Sequence, residues 1–370
     1  MLPLHLMDTR KQILKFLKKR AGSGAELAKR LAVSRQAVNV HLKKLVLSGQ
    51  VIKTGVTRGA AYALPEDRHG VPAPVLFSKT FSLSRLAEDA VFRDAAGRLQ
   101  LSRAIPGNVR DIVQYGFTEM LNNAIEHSQA ADCKIQMGLD PYVCFFSVRD
   151  PGIGLFHSIA SNFGLPDENV AAGELLKGKA TTMAERHSGE GIFFTSRVGD
   201  VVRFRSHRIE VIFSGQGQDV VVNERRFLRG TEVRFEISRH SRRKVETIFG
   251  EFAPAELDYR FEKTRVLVKL FRREFVSRSE ARRMMAGLDK FRMVELDFRN
   301  VKSLGQGFAD EVFRVYANAH PHIEIKAVNL SPALEPMLRH VIDNKNIGKI
   351  DNSLTIARGA SRPGVAIESL

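Results

Sequence analysis

The stretch that decides the fold reads Phe117-Thr-Glu-Met-Leu-Asn-Asn-Ala-Ile-Glu-His-Ser128. Glu119 and Asn123 are four residues apart, so a helix would place both on one face, with His127 one turn further on. A carboxylate and an amide oxygen on one face can hold a hard, oxygen-liganded Mg²⁺ and orient a water or hydroxyl nucleophile. This helix is therefore the first candidate for a functional site.

Three further glycine-containing motifs follow this helix along the chain. The first comes directly after an apolar, strand-like run, and its glycines leave room for a sharp turn and for a flat base to approach the backbone. The second opens a predicted helix, where free N–H groups and the helix dipole suit a triphosphate. The third enters a predicted strand. In order they are Asp150-Pro-Gly152-Ile-Gly154, Gly189-Glu190-Gly191 and Gly230-Thr231.

Together the four motifs resemble those of the GHKL ATPase superfamily of gyrase, MutL, histidine kinases and anti-sigma serine kinases. The likeness is greatest to the anti-sigma kinases and covers residues 75–240. It implies an ATP and Mg²⁺ site in a GHKL (Bergerat) α/β sandwich, with Glu119 as general base and Asn123 as magnesium ligand. Asp150 would accept the adenine amino group. The other implied ATP-binding residues are Gly152 and Gly154 beneath the base, Gly189, Glu190 and Gly191 at the phosphates, and Thr231, which supports the aspartate.

Some candidate ATP contacts have a second interpretation. His127 either meets phosphate or only packs and caps the end of its helix. The segment between Leu155 and Ser188 is predicted to be a mobile lid, because glycine, proline and polar residues are scattered through it. Cationic and hydroxyl side chains there could close over the phosphates, or could belong to a solvated loop without ligand contact. They are Lys177, Lys179, Thr181, Thr182 and Arg186.

Charge is concentrated at the amino terminus. The 370-residue chain has a formal net charge of +16. Residues 1–64 hold 13 lysines and arginines against Asp8 and Glu26, a net charge of +11. A basic domain of this size is typical of a nucleic-acid binder.

The pattern of residues 1–66 is helix, helix, turn, helix and a two-stranded wing, and it resembles the winged helix-turn-helix of bacterial regulators. Ser34 is predicted to cap a recognition helix that runs from Arg35 to Ser48 and buries Ala37, among others. Polar side chains near its start could pair with purine edges, and lysine and arginine further on would meet phosphates of duplex DNA. The predicted DNA contacts are Arg35, Gln36, Asn39, Lys43, Lys53 and Arg58. The alternative is a winged helix that serves only protein interaction.

Residues 67–74 are interpreted as a linker, and residues 262–345 alternate between strand and helix as in an open α/β layer. The run from Val294 to Glu311 resembles the STAS domain of anti-sigma antagonists, and more closely the STAS-like domains that follow GHKL modules. Those antagonists carry Asp-Ser-Ser-Gly where this chain has Leu304-Gly-Gln-Gly307, so the phosphorylatable serine is missing. The domain is therefore interpreted as a docking or sensing module, and residues 346–370 as a loose tail.

The expected fold is thus α+β and multidomain: winged helix, central GHKL sandwich and STAS-like α/β domain. The leading hypothesis is an ATP-dependent, DNA-binding transcriptional regulator with slow Mg-dependent ATPase activity. The alternative is a protein serine/threonine kinase of the anti-sigma type. Two cysteines without metal spacing and no membrane-length apolar run favour a cytoplasmic location. A protein partner of the STAS-like domain and a second copy of the chain are further candidate partners.

Overall fold

The computed structural model describes residues 9–47, 51–54, 60–64, 75–140, 143–178, 190–215, 217, 219–270, 274–275 and 277–343. The chain divides into two compact units with a boundary between Phe249 and Gly250. The predicted linker at 67–74 and the predicted tail at 346–370 lie outside the described residues. None of the described helices combines the length and apolar character needed to cross a membrane.

The amino-terminal part contains three helices and a small antiparallel sheet. The second helix begins with a capping box, in which the Ser23 hydroxyl accepts from the Glu26 N–H (3.2 Å) and the Glu26 carboxylate accepts from the Ser23 N–H (2.8 Å). Ile13, Leu27 and Val38 are fully buried where the helices meet. The elements are α1 (Thr9–Leu17), β1 (Gly22–Ser23), α2 (Gly24–Leu31), α3 (Arg35–Leu47), β2 (Ile52–Thr54) and β3 (Ala61–Ala63), with sheet order β1-β3-β2.

Two details of this part differ from expectation. Ser34 caps α3 as predicted, since its hydroxyl accepts from the Ala37 N–H at 3.1 Å. Ala37 is exposed rather than buried, because the buried stripe of α3 runs through Val38, Leu42 and Leu45. The wing also has a third strand, β1, whose two residues are too few to give a sequence pattern.

The central part is a five-stranded antiparallel sheet with helices packed on one face. Phe146 and Phe235 stack on that face with ring centroids 4.9 Å apart, and Phe117 from the longest helix packs edge-on against Phe146 at 5.5 Å. The elements are β4 (Val75–Ser82), α4 (Glu88–Arg98), α5 (Leu101–Ala104), α6 (Gly107–His127), β5 (Asp132–Leu139), β6 (Val143–Asp150), α7 (Leu155–Asn162), α8 (Glu168–Lys177), α9 (Glu190–Val198), β7 (Val201–Ser214), β8 (Asp219–Ser238) and α10 (Val245–Phe252). The sheet order is β4-β5-β6-β8-β7.

The first part of the predicted lid is helical. Residues 155–178 form α7 and α8 rather than an irregular loop. Asp167 starts α8 by accepting from the N–H groups of Asn169 (2.7 Å) and Val170 (3.0 Å), a capping signal that the nearby glycine and proline obscured. Glu168 then contacts Nδ1 of His207 at 2.6 Å, which fixes α8 to β7.

The second unit contains a three-stranded parallel sheet of order β13-β11-β9 and a two-stranded pair, β10-β12. Its elements are β9 (Lys263–Leu267), β10 (Glu274–Phe275), α11 (Arg278–Met285), β11 (Met293–Asp297), β12 (Ser303–Leu304), α12 (Gln306–Asp310), α13 (Ala317–Ala319), β13 (Glu324–Val328) and α14 (Glu335–Asp343), with 3-10 turns at Ala255–Leu257 and Val268–Leu270. Ser277 forms a capping box with Glu280 at the start of α11. This helix ends at Met285, because the chain turns at Gly287, where φ is +70°. A π-helical turn, Glu311–Tyr316, lies between α12 and α13.

Candidate functional site

Helix α6 presents its polar face to a cavity of about 350 Å³. Glu119, Asn123 and His127 line this cavity together with the apolar Met120 and Ala124, while Ile112, Gly116 and Leu121 are buried on the other faces of α6. The Asn123 amide nitrogen is buried and has no hydrogen-bond partner among the described residues. A rotation of 180° would exchange the nitrogen and the oxygen of this amide. In either orientation, one polar atom of Asn123 lacks a hydrogen-bond partner among the described residues.

Asp150 lies at the end of β6 in the same cavity and is only 4% exposed. The Gly152 N–H donates to its Oδ1 at 2.9 Å. Burial raises the pKa of Asp150, and hydrogen bonds from the backbone of Gly152 and Thr231 partly oppose this rise. The result is a fixed carboxylate acceptor inside a largely apolar wall, which suits an amino group of a flat ligand.

The glycines around Asp150 are required by close backbone contacts. A Cβ on Gly152 would lie 1.9 Å from the Ser128 carbonyl oxygen, which accepts from the Ile153 N–H at 2.9 Å. Gly154 and Gly230 both have positive φ, +87° and +78°. The first motif thus turns sharply against the end of α6, as its sequence predicted.

Thr231 lies directly opposite Asp150 in the ladder between β6 and β8. Its hydroxyl accepts from the Leu155 N–H at 2.9 Å, at the start of α7. The hydroxyl proton therefore points away from Leu155 and remains available to an acceptor in the cavity. Thr231 therefore links β8 to the end of β6 and to the start of α7.

The described end of the second motif, Glu190 and Gly191, meets α6. Glu190 begins α9, and Gly191 is packed so closely that an added Cβ would lie 2.1 Å from Glu119 Oε2. The candidate base therefore lies against the first turn of a helix, where a negative charge is favoured. Glu190 and Gly191 both line the cavity.

Several predicted ATP contacts lie outside the described residues: Lys179, Thr182, Arg186 and Gly189. Lys177 is described, and it is buried rather than part of a solvated loop. Its side chain is 1% exposed and its Nζ contacts Glu174 Oε1 at 2.6 Å, so it stabilises the end of α8; it is not among the residues that line the cavity.

Part of the cavity wall consists of residues outside the four motifs. Tyr115 lies one turn before Glu119 on α6, and its spacing could have identified it; burial and the nearby Glu119 and Glu190 carboxylates raise its pKa. Phe249 comes from α10, beyond the predicted boundary at residue 240, and stacks on Phe194 with centroids 4.0 Å apart. Nothing in the local sequence of α10 signals a place in this wall. Apolar residues complete it: Met120, Val148, Leu155, Ile159, Phe204 and Val233.

The candidate DNA contacts lie on the exposed side of the winged helix. Arg35, Gln36 and Asn39 are exposed near the start of α3, and Lys53 is exposed on β2. Lys43 lies in α3, but its side chain is outside the described part of the chain, as is the whole of Arg58. The described residues thus form a basic and amide-bearing surface at one end of the recognition helix.

In the second unit, β12 and α12 flank the position at which antagonists carry their phosphorylatable serine. Ser303 is exposed on β12, and α12 begins at Gln306. No group of three or more histidine, cysteine, aspartate or glutamate side chains among the described residues could hold a metal ion. Both cysteines are buried, and burial raises the pKa of each thiol to about 12.

Comparisons with known proteins identify the two ends of the chain. Residues 9–59 match the model of an HTH domain, and residues 280–335 match that of a STAS-like domain of unknown function. Curated proteins gave no match. The chain is therefore an α+β multidomain protein with an amino-terminal HTH domain, which suggests DNA-binding regulation, and a carboxy-terminal STAS-like domain.

Proposed function

We propose that this protein is an ATP-dependent DNA-binding transcriptional regulator, in which a GHKL-type nucleotide site controls the winged helix. The observation that carries the proposal is the convergence of Glu119, Asn123, Asp150, Gly191 and Thr231 on one cavity from separate parts of the chain. Helical spacing accounts for Glu119 and Asn123 lying together, but it offers no reason for Asp150, Gly191 and Thr231 to join them, whereas a shared ligand does.

The chemical types of the side chains that line the cavity suit ATP and Mg²⁺. The Asp150 carboxylate would accept the adenine amino group, and the N-terminus of α9 would face phosphate. The Asn123 side chain lines the cavity, and its amide oxygen would be the protein ligand of Mg²⁺. Mg²⁺ commonly takes one or two protein ligands plus substrate phosphates, so a site without a carboxylate cluster is compatible with it. The bound ion would neutralise phosphate charge.

Glu119 would orient an attacking water and take its proton at a carboxylate oxygen. The apolar wall around Tyr115 and Phe249 would limit access of other water. Slow ATP hydrolysis is the activity that this arrangement supports. A serine/threonine kinase is the second candidate, favoured by the same Glu119 beside α9, since a protein hydroxyl could replace the water.

The decisive experiment combines calorimetry with duplex binding. Purified protein should bind ATP with Mg²⁺, and its affinity for duplex DNA should differ between ATP, ADP and no nucleotide. The Asp150→Asn variant should need a higher concentration of nucleotide than the wild type to reach the same change in duplex affinity. Equal DNA affinity for the wild type in all three conditions, with ATP shown to bind, would overturn nucleotide control and favour the kinase.

The STAS-like domain is proposed as a docking module for a partner protein or for a second copy of the chain. Its exposed Ser303 precedes the site at which antagonists carry their serine, and no hydroxyl occupies positions 304–307. Incubation with radiolabelled ATP tests this: a docking role predicts no label in the second unit.

A further inference from the structure

The central sheet has a second face that the nucleotide site does not use. On β5, β6, β8 and β7 the residues that alternate with the buried core point to this face, and the strand pairing places them in rows. One row is Lys134, Arg149, Glu232 and Arg205, and the next is Gln136, Ser147, Arg234 and Arg203. The second face of the sheet carries five cations, which together form the basic face: Lys134, Arg149, Arg203, Arg205 and Arg234.

Charge on the basic face is poorly balanced. Arg234 is paired with Glu236 at 2.7 Å, and its guanidinium lies 4.7 Å from the centroid of the Phe145 ring. Lys134, Arg149 and Arg203 form no ion pair with any residue that the structure describes. The face therefore presents five cations against three anions: Asp132 at the start of β5, Glu232 and the already paired Glu236.

The arrangement also carries a cost to stability. Lys134 is directly opposite Arg149 across β5 and β6, and Arg203 is directly opposite Arg234 across β7 and β8. Like charges in directly opposed positions destabilise a sheet. An ordinary solvated face would pair opposite charges here, so two like-charge pairs on neighbouring rows indicate a polyanionic partner.

We propose that the basic face binds the phosphate backbone of duplex DNA. The inference rests on the proposed DNA-binding function and extends the contact beyond the winged helix. Charge complementarity favours the duplex: four strands at about 4.8 Å spacing make a face roughly 14 Å wide, enough for several successive phosphates. A duplex held by the HTH domain is at high local concentration for any other basic surface of the same chain.

The test uses the full-length Lys134→Ala/Arg149→Ala variant and a labelled duplex, with affinity measured over a range of salt concentrations. The variant should bind all sequences more weakly, and its slope of log K against log salt should be shallower than that of wild type by about 1.8, or 0.9 for each lost phosphate contact. The matched control is Arg93→Ala/Arg103→Ala, which removes the same charge from exposed positions on α4 and α5 and should keep the wild-type slope.

The variant's melting temperature should equal or exceed that of wild type, because an opposed like-charge pair is gone. A second variant, Glu232→Gln, removes an anion between Arg149 and Arg205 and should tighten binding to every duplex in low salt. Two results would overturn the inference: a wild-type salt slope in the double variant, or an unchanged duplex affinity in Glu232→Gln. Either result would indicate an acidic protein as the partner of the basic face. A wild type that binds no duplex in low salt would instead overturn the DNA-binding proposal itself.

Discussion

The Asp150 carboxylate is almost completely buried, and burial raises its pKa above the ordinary value of an aspartate. As pH rises through that ordinary value, about 3.9, the unfolded chain releases its proton before the folded one. The folded state therefore loses stability between the unfolded and the folded pKa, and the loss persists at neutral pH. Asp150 thus reduces the stability of the ligand-free protein.

We expect Asp150→Asn to separate binding from stability. The amide can still accept from the backbone of Gly152 and Thr231, but it presents a weaker acceptor to adenine, so ATP binding should weaken by about 1–3 kcal/mol. The melting temperature without nucleotide should rise at pH 7, and the rise should vanish at a pH below the unfolded pKa. Calorimetry and thermal melts measure both, with Asp89→Asn at an exposed position of α4 as control. Unchanged ATP affinity would remove Asp150 from the site.

Glu119→Ala should keep ATP binding and lose turnover. The carboxylate lies against the first turn of α9, and its removal leaves the Asp150 and Asn123 parts of the cavity intact. General-base catalysis typically contributes about 10²–10⁴-fold, so hydrolysis or phosphotransfer should fall by that order. Phosphate release under saturating ATP is the measurement, and a wild-type rate would exclude Glu119 as the base.

At the scale of elements, glycines divide into those that the site requires and those that it does not. A Cβ at Gly152 would lie 1.9 Å from a backbone oxygen, whereas a Cβ at Gly173 on α8 would have nothing within 4 Å. Gly152→Ala should therefore destabilise the protein and abolish ATP binding. Gly173→Ala should stabilise it by about 0.4–1 kcal/mol, since alanine restricts the unfolded chain. Chemical denaturation of the pair checks both signs, and equal effects would contradict the turn geometry.

The recognition helix depends on its cap. Ser34 holds the Ala37 N–H at the start of α3, beside Arg35 and Gln36. Ser34→Ala should cost about 1 kcal/mol in stability and weaken duplex binding, because the end of the helix that carries these side chains would fray. Ser34→Asp, which keeps a capping oxygen, should restore the stability; if it does not, the cap is not what orders this end of α3.

Sequence spacing was a good guide where a motif and its element are local. The four-residue interval from Glu119 to Asn123 predicted one helical face, and the glycines after Asp150 predicted a sharp turn. Sequence spacing is a poorer guide where tertiary packing decides the structure. Gly164 and Pro166 suggest a loop, yet the chain forms α7 and α8 on either side of them. Lys177 is likewise buried beside Glu174 instead of exposed. Phe249 could not have been predicted, because its place in the wall depends on a stacking contact with Phe194, 55 positions earlier in the chain.

At the scale of the whole molecule, nucleotide and DNA should influence each other equally. If ATP changes duplex affinity by some factor, the duplex must change ATP affinity by the same factor. ATP at one hundred times its Kd should also stabilise the folded state by about 2.7 kcal/mol. Calorimetric titration of ATP with and without saturating duplex measures the reciprocal factor, and a factor of one would show that the two sites are not coupled.

Helix α10 has a practical consequence for dissecting the protein into fragments. The likeness to the GHKL ATPases ends at residue 240, which invites a truncation there, yet Phe249 lines the cavity and stacks on the ring of Phe194. A fragment that stops at residue 240 would expose this ring to solvent and become prone to aggregation. Its failure to bind ATP would then reflect a missing wall, so fragments meant to retain the site should extend through Phe252.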